Sequence, residues 1–80
     1  MMPGDYTPRQ GQYLAFIYYD AKLNAQPPAE IDMQRHFRVS PPAVHQMVLT
    51  LEKQGFIERM PRQARSIRLL LSREELPDLK

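Results

Sequence analysis

Prolines limit where the regular elements of this 80-residue chain can begin and end. A helix accepts proline in its first turn, where no donor is lost, but is broken by one further along. Thr7-Pro8 and Ser40-Pro41-Pro42 each place a capping hydroxyl directly before proline, which predicts two helix starts. Pro27-Pro28 ends the first helical segment, because the residue before a proline is disfavoured in the helical conformation.

Three helices are predicted between these signals. The first spans Pro8 to Asn24, the second about Ala29 to Phe37, and the third begins after Ser40 and ends before Gly55. The N-cap of the second helix is not evident from the sequence. Apolar residues at helical spacing predict the core, which includes Leu14, Ile17, Met33, Val44, Val48 and Leu51.

The pattern becomes strand-like after Gly55. Residues 56–60 and 66–71 are predicted to pair as two strands, and residues 61–65 form the hairpin loop between them. The expected fold class is α+β, in one domain over residues 1–80. Its core is predicted to cover about residues 6–72, followed by an acidic tail over 73–80.

Composition excludes several functional classes. The chain has no cysteine, and its two histidines have no acidic ligand beside them in sequence, so no metal is expected. No glycine-rich phosphate loop and no serine with a base and an acid are evident, so we expect neither a cofactor nor catalysis. The longest apolar stretch, Tyr13 to Tyr19, is seven residues long, and no leader follows Met1. A soluble, cytoplasmic protein without a membrane partner is therefore expected.

Charge is distributed unevenly along the chain. The net charge is only +2, but five arginines and no acid lie between Arg59 and Arg73. Such a local cluster on a nearly neutral chain indicates an anionic partner that contacts one edge of the domain.

Two helices joined by a short turn form a helix-turn-helix, whose second helix enters the major groove of DNA. Small residues in its first turn allow a close approach to base edges. Gln46 is suited to adenine, Ala43 to a thymine methyl, and Arg62 and Arg65 to phosphate or a narrow minor groove. The predicted DNA-binding residues are Ser40, Pro42, Ala43, His45, Gln46, Thr50, Lys53, Arg62 and Arg65.

Residues 40–44 and 51–59 resemble the winged helix-turn-helix of bacterial repressors. The most similar pattern is the DNA-binding domain of the LexA repressor family, and the MarR group is the next most similar. The likeness covers about residues 6–71 and includes the helix start at Thr7-Pro8. It implies three helices with a C-terminal two-stranded β-hairpin wing, and a transcriptional repressor that binds double-stranded operator DNA as a dimer.

The resemblance carries the family's recognition role over to Ser40 and Ala43. Pro42, His45 and Gln46 depart from the family's asparagine and two glutamates, which argues against the same operator. LexA-type repressors continue into a self-cleaving protease domain with the dimer interface, whereas this chain ends at Lys80. We therefore expect no switching by self-cleavage, and either dimerisation through the small domain or action as a monomer.

The main alternative is a winged-helix protein–protein interaction module that does not bind DNA. A second apolar stripe on the first helix (Phe16, Tyr19 and Leu23) and the outward-facing Leu49 supply a candidate contact surface. The same stripe is the expected homodimer interface, with packing on the wing or on the C-terminal tail as its alternative.

Overall fold

A computed structural model describes residues 5–80 and contains three helices followed by a two-stranded sheet. The helices are α1 (Pro8–Asn24), α2 (Glu30–Phe37) and α3 (Pro41–Lys53). The strands are β1 (Ile57–Glu58) and β2 (Arg68–Leu69), which pair antiparallel. This α+β winged helix-turn-helix confirms the predicted fold class. The leader expected to be absent after Met1 falls on residues 1–4, outside the described range.

The predicted signals account for the starts of α1 and α3. Thr7 and Gln10 form a capping box, in which the hydroxyl of Thr7 accepts from the N–H of Gln10 and the amide oxygen of Gln10 accepts from the N–H of Thr7. The hydroxyl of Ser40 accepts from the N–H of Ala43 at the start of α3. Gly55 follows α3 with a φ of +82°, a conformation that glycine adopts without strain. These capping interactions are local, so the sequence alone could specify them.

One apolar cluster joins all three helices to both strands. The six core residues predicted from helical spacing are all buried, and Ile57 and Ile67 of the hairpin join them. Tyr13 of α1 stacks on Phe37 of α2 with 4.1 Å between ring centroids. This shared core holds α3 and the hairpin in a defined relation to α1.

The sheet is shorter than the two strands predicted over residues 56–60 and 66–71. The ladder pairs Ile57 with Leu69 and Glu58 with Arg68, and the N–H of Leu70 donates to the carbonyl of Phe56 (2.9 Å) at the end away from the loop. At the other end, the N–H of Met60 donates to the side-chain hydroxyl of Ser66 (2.9 Å), which takes the place of a main-chain partner. A serine side chain therefore ends the ladder where the sequence pattern indicated that it continued.

The core also continues beyond residue 72, where the sequence analysis placed its end. Leu76 is buried in the apolar cluster, next to a 3₁₀ turn over Arg73–Glu75. Gln12 of α1 donates to the carbonyl of Asp78 (3.0 Å) and accepts from the N–H of Lys80 (2.8 Å). The residues expected to form an acidic tail thus pack along α1.

Gly11 lies at the contact between α1 and this C-terminal segment, so we expect Gly11→Ala to destabilise the protein. Inside a helix this change normally stabilises by roughly 0.5–1 kcal/mol. Here a Cβ would lie 2.8 Å from Cε1 of Tyr6 and 3.0 Å from Cγ of Pro77. The expected net loss in the free energy of unfolding is about 1 kcal/mol, measured by urea denaturation.

A double-mutant cycle with Tyr6→Ala provides the control for Gly11→Ala. Removing the tyrosine ring removes the closest contact, so the loss caused by the alanine should shrink in that background. A Gly11→Ala protein more stable than the wild type would contradict this packing.

Candidate nucleic-acid interface

Helix α3 has one buried face and one solvent-facing side. Val44, Val48 and Leu51 are completely buried and Met47 packs against the core beside them, so the opposite side of the helix points away from the core. We define the outer face of α3 as Pro42, Ala43, His45, Gln46, Leu49, Thr50 and Lys53, of which Leu49 and Thr50 are half-buried and the others exposed. The predicted contact residues of α3 therefore lie together on one surface.

The polar groups on this surface differ in whether they already form hydrogen bonds within the protein. The hydroxyl of Ser40 caps the helix, accepting from the N–H of Ala43 at 3.4 Å. The hydroxyl of Thr50 donates to the carbonyl of Gln46 (2.9 Å), so its hydrogen is held within the helix. Gln46 and Lys53 have exposed side chains beside a shallow groove that also includes Leu49. Gln46 and Lys53 therefore suit contacts to a ligand on this face.

The turn between α2 and α3 is tight and contains an arginine in a glycine-like conformation. Arg38 has φ 56° and ψ 49°, and its N–H donates to the carbonyl of Gln34 at the end of α2. Only Val39 and the capping Ser40 separate it from α3. This turn brings α2 and α3 together as the helix-turn-helix that the sequence predicts.

His45 on the outer face contacts the first residue of α2. Its Nδ1 lies 3.1 Å and 3.3 Å from the two carboxylate oxygens of Glu30. The imidazole side chain remains about half exposed, at 52%. The sequence predicts a role for His45 but none for Glu30, because no local pattern connects residues on different helices.

A serine organises the wing loop, which we define as residues 61–65 between the two strands. The hydroxyl oxygen of Ser66 accepts from the N–H of Met60 and lies within hydrogen-bond distance of the carbonyls of Met60 (3.2 Å) and Gln63 (2.9 Å). All five wing-loop residues are exposed, and Arg62 has a φ of 68°. The loop thus holds the side chain of Arg62 toward solvent, as the sequence predicts.

Arg65, the second predicted wing contact, is anchored to α2. Its Nη1 donates to Oδ2 of Asp32 at 2.7 Å. The same carboxylate oxygen accepts from the N–H of Ala29 at 2.8 Å and so caps α2. Ala29 has no side-chain acceptor, which is why the sequence showed no N-cap. The signal that could have revealed the cap is an acid three residues into the helix.

These contacts lower the pKa of Asp32. The hydrogen bond from the N–H of Ala29 is the largest cause, and the hydrogen bond and charge of Arg65 add to it against the opposing effect of burial. The carboxylate is therefore ionised at neutral pH and stabilises both the start of α2 and the position of the wing.

The second apolar stripe of α1 does not form one exposed surface. Phe16 is buried against His36 and Phe37 of α2, with ring centroids 4.6 Å and 5.8 Å away. Tyr19 is half-buried with the guanidinium of Arg73 over its ring, whereas Leu23 is 84% exposed. Phe16 is thus a core residue, and its predicted part in an interface between copies is wrong.

The described residues, 5–80, contain neither a cluster of potential metal ligands nor a helix that could span a membrane. Within that range no cluster of three His, Cys, Asp or Glu side chains is arranged as metal ligands would be. None of the helices there has the length and apolar character needed to cross a membrane.

Comparison with known proteins gives matches over most of the chain. The family model described as the LexA DNA-binding domain matches residues 4–66. A LexA repressor of Thermosipho melanesiensis is 36% identical over 70 residues, which are 88% of this chain and 35% of that protein. A LexA repressor of Thermosipho africanus is 41% identical over 64 residues, which are 80% of this chain and 32% of that protein. A LexA repressor of Thermotoga maritima is 35% identical over 74 residues, which are 91% of this chain and 38% of that protein. The chain thus spans about a third of the length of these relatives.

The contacts of Asp32 predict a pH-dependent loss of stability. Because its folded pKa is depressed, its contribution is fully present above its ordinary value of about 4 and is lost as the pH falls through the lower folded value. We expect Asp32→Ala to cost about 1 kcal/mol at pH 7, as loss of a helix cap does. The difference from the wild type should narrow below about pH 4, as measured by thermal unfolding from pH 7 to 2.5.

Asp78→Ala is the matched control, because it removes an exposed carboxylate from the C-terminal segment. This variant should differ little from the wild type over the same pH range. An Asp32→Ala protein that unfolds with the wild type at every pH would contradict the cap and the anchoring of the wing.

Proposed function

Since the chain belongs to the LexA DNA-binding domain family, we infer that it is a sequence-specific DNA-binding regulator of the repressor type. The family and the winged helix-turn-helix fold assign it to double-stranded DNA. The single observation that carries the proposal is the outer face of α3, whose contact-competent side chains lie opposite a fully buried stripe. Repression of transcription is part of the proposal, because the chain spans only a third of its relatives.

We propose that the N-terminal half of α3 reads base edges in the major groove. Pro42 and Ala43 are small and exposed in the first turn, which supports a close approach of the helix to DNA. Gln46 combines a donor and an acceptor on one exposed side chain and suits adenine. His45 adds a half-exposed imidazole, and Lys53, at the far end of the helix, suits a phosphate.

The wing loop supplies the second proposed contact. Arg62 is exposed and permanently charged, which fits a phosphate or a narrow minor groove. Arg65 forms an ion pair with Asp32, so we assign it mainly to holding the wing against α2. Thr50 and Ser40 complete the proposed set of DNA-binding residues. Each of their hydroxyls also forms a hydrogen bond with the main chain of α3.

One module of this size makes a limited contact with DNA, which favours binding by two copies. We propose that self-association uses the Tyr19 and Leu23 end of α1, since Phe16 is buried in the core. Leu23 is the more exposed of these two side chains. The alternative of an interaction module without DNA binding is not favoured, because the matching family is one of DNA-binding domains.

The first test is fluorescence anisotropy of the protein with a random-sequence duplex at two salt concentrations. We expect Arg62→Ala to weaken binding to all sequences similarly and to reduce the salt slope by about 1, because one phosphate contact is lost. Arg73→Ala removes the same charge from the surface of Tyr18 and Tyr19 and should change the slope little.

The double variant Arg62→Ala plus Arg65→Ala extends this test to the whole wing. Unchanged affinity and unchanged salt slope in the double variant would rule out a wing contact. Absence of binding to any duplex at low salt would rule out the DNA-binding function itself.

Gln46→Ala should change sequence preference rather than general affinity. A selection from a random duplex library should show reduced discrimination at one base pair, by about tenfold, while affinity for random DNA stays close to that of the wild type. Gln54→Ala is the control, because it changes an exposed glutamine just after the helix. Identical selected sites for Gln46→Ala and the wild type would remove Gln46 from the reading surface.

A further inference from the structure

The contact between Glu30 and His45 joins the proposed reading surface to the first turn of α2. Both carboxylate oxygens of Glu30 lie near the same ring nitrogen, Nδ1, at 3.1 Å and 3.3 Å. Glu30 is partly sheltered, with its side chain 28% exposed, while the imidazole is 52% exposed. One ring nitrogen is therefore held by the protein, while about half of the side chain remains exposed.

The chemistry of this pair selects a tautomer. An ionised carboxylate only accepts hydrogen bonds, so the nitrogen that faces it must carry the hydrogen. In a neutral imidazole, a hydrogen on Nδ1 leaves Nε2 as an acceptor without a hydrogen. A histidine without a partner has no such constraint and can present Nε2 as a donor.

We infer that Glu30 is a specificity-determining positioning residue, which accepts the hydrogen of His45 Nδ1 and so holds Nε2 as a hydrogen-bond acceptor toward the major groove. This inference rests on the proposed function. An acceptor pairs with the exocyclic amino groups of adenine or cytosine and is repelled by the acceptors of guanine and thymine. The position read by His45 should therefore favour adenine or cytosine on the contacted strand, about fivefold over guanine or thymine.

The tautomer can be measured without DNA, on the folded chain. Nitrogen-15 chemical shifts of the His45 ring, recorded at pH 8 where an ordinary imidazole is neutral, distinguish hydrogen on Nδ1 from hydrogen on Nε2. We expect the Nδ1–H form in the wild type and a mixture of both forms in Glu30→Ala. Glu74→Ala removes an exposed carboxylate from the 3₁₀ turn and should leave the wild-type spectrum of His45 unchanged.

The consequence for recognition is tested by selection from a random duplex library, again at pH 8. The wild type and Glu74→Ala should enrich adenine or cytosine at one position, and both Glu30→Ala and His45→Ala should lose that enrichment. Glu30→Ala should still bind random DNA, because the change removes no cationic side chain from the proposed surface.

The results distinguish a failure of the inference about Glu30 from a failure of the proposed function. An Nε2–H tautomer in the wild type overturns the inference, whatever the DNA results are. Retained binding with the same base preference in Glu30→Ala overturns the inference and leaves the proposed function intact. Failure of the wild type to bind any duplex overturns the proposed function, and the inference with it.

Discussion

Burial of one stripe of α3 determines which side of this helix faces solvent and can contact a partner. Val44, Val48 and Leu51 are completely enclosed, which leaves a single orientation of the helix about its axis. Ile57 and Ile67 of the hairpin enter the same cluster, so the wing is positioned by the core that positions α3. Rotating α3 would expose this stripe, at a cost of roughly 1.5–3 kcal/mol for each large apolar side chain. The two candidate contact elements are therefore positioned by the same core.

Polar contacts from the first turn of α2 provide a second link between α3 and the wing, in addition to the apolar core. Glu30 contacts His45 of α3, and two residues later Asp32 contacts Arg65 of the wing loop. Both carboxylates lie near the start of a helix, where negative charge is favoured by the exposed N–H groups. The two acids thus orient side chains from two other elements, and Asp32 also caps the start of α2.

How far the sequence could predict this molecule depends on the range of each interaction. The starts of α1 and α3 were predictable because Thr7, Gln10 and Ser40 act within three residues of their partners. Periodic spacing revealed the core for a similar reason. The partners of Arg65 and His45 lie 33 and 15 residues away, and the hydroxyl of Ser66 replaces a strand contact six residues away. Such pairings are set by the assembled fold, so a one-dimensional pattern carries no sign of them.

The arginine cluster shows how the fold changes the meaning of a charge pattern. Of its five arginines, Arg59 is paired with Glu52, Arg65 with Asp32 and Arg68 with Glu58. Arg73 lies over the rings of Tyr18 and Tyr19 on α1, while Arg62 is held in the exposed wing loop. The attraction that this segment exerts on a polyanion is therefore weaker than five arginines suggest, because nearby carboxylates offset most of their charge. With less affinity available from charge alone, the base contacts that we propose for α3 would have to supply a larger share of the binding energy, and binding to random DNA should be correspondingly modest.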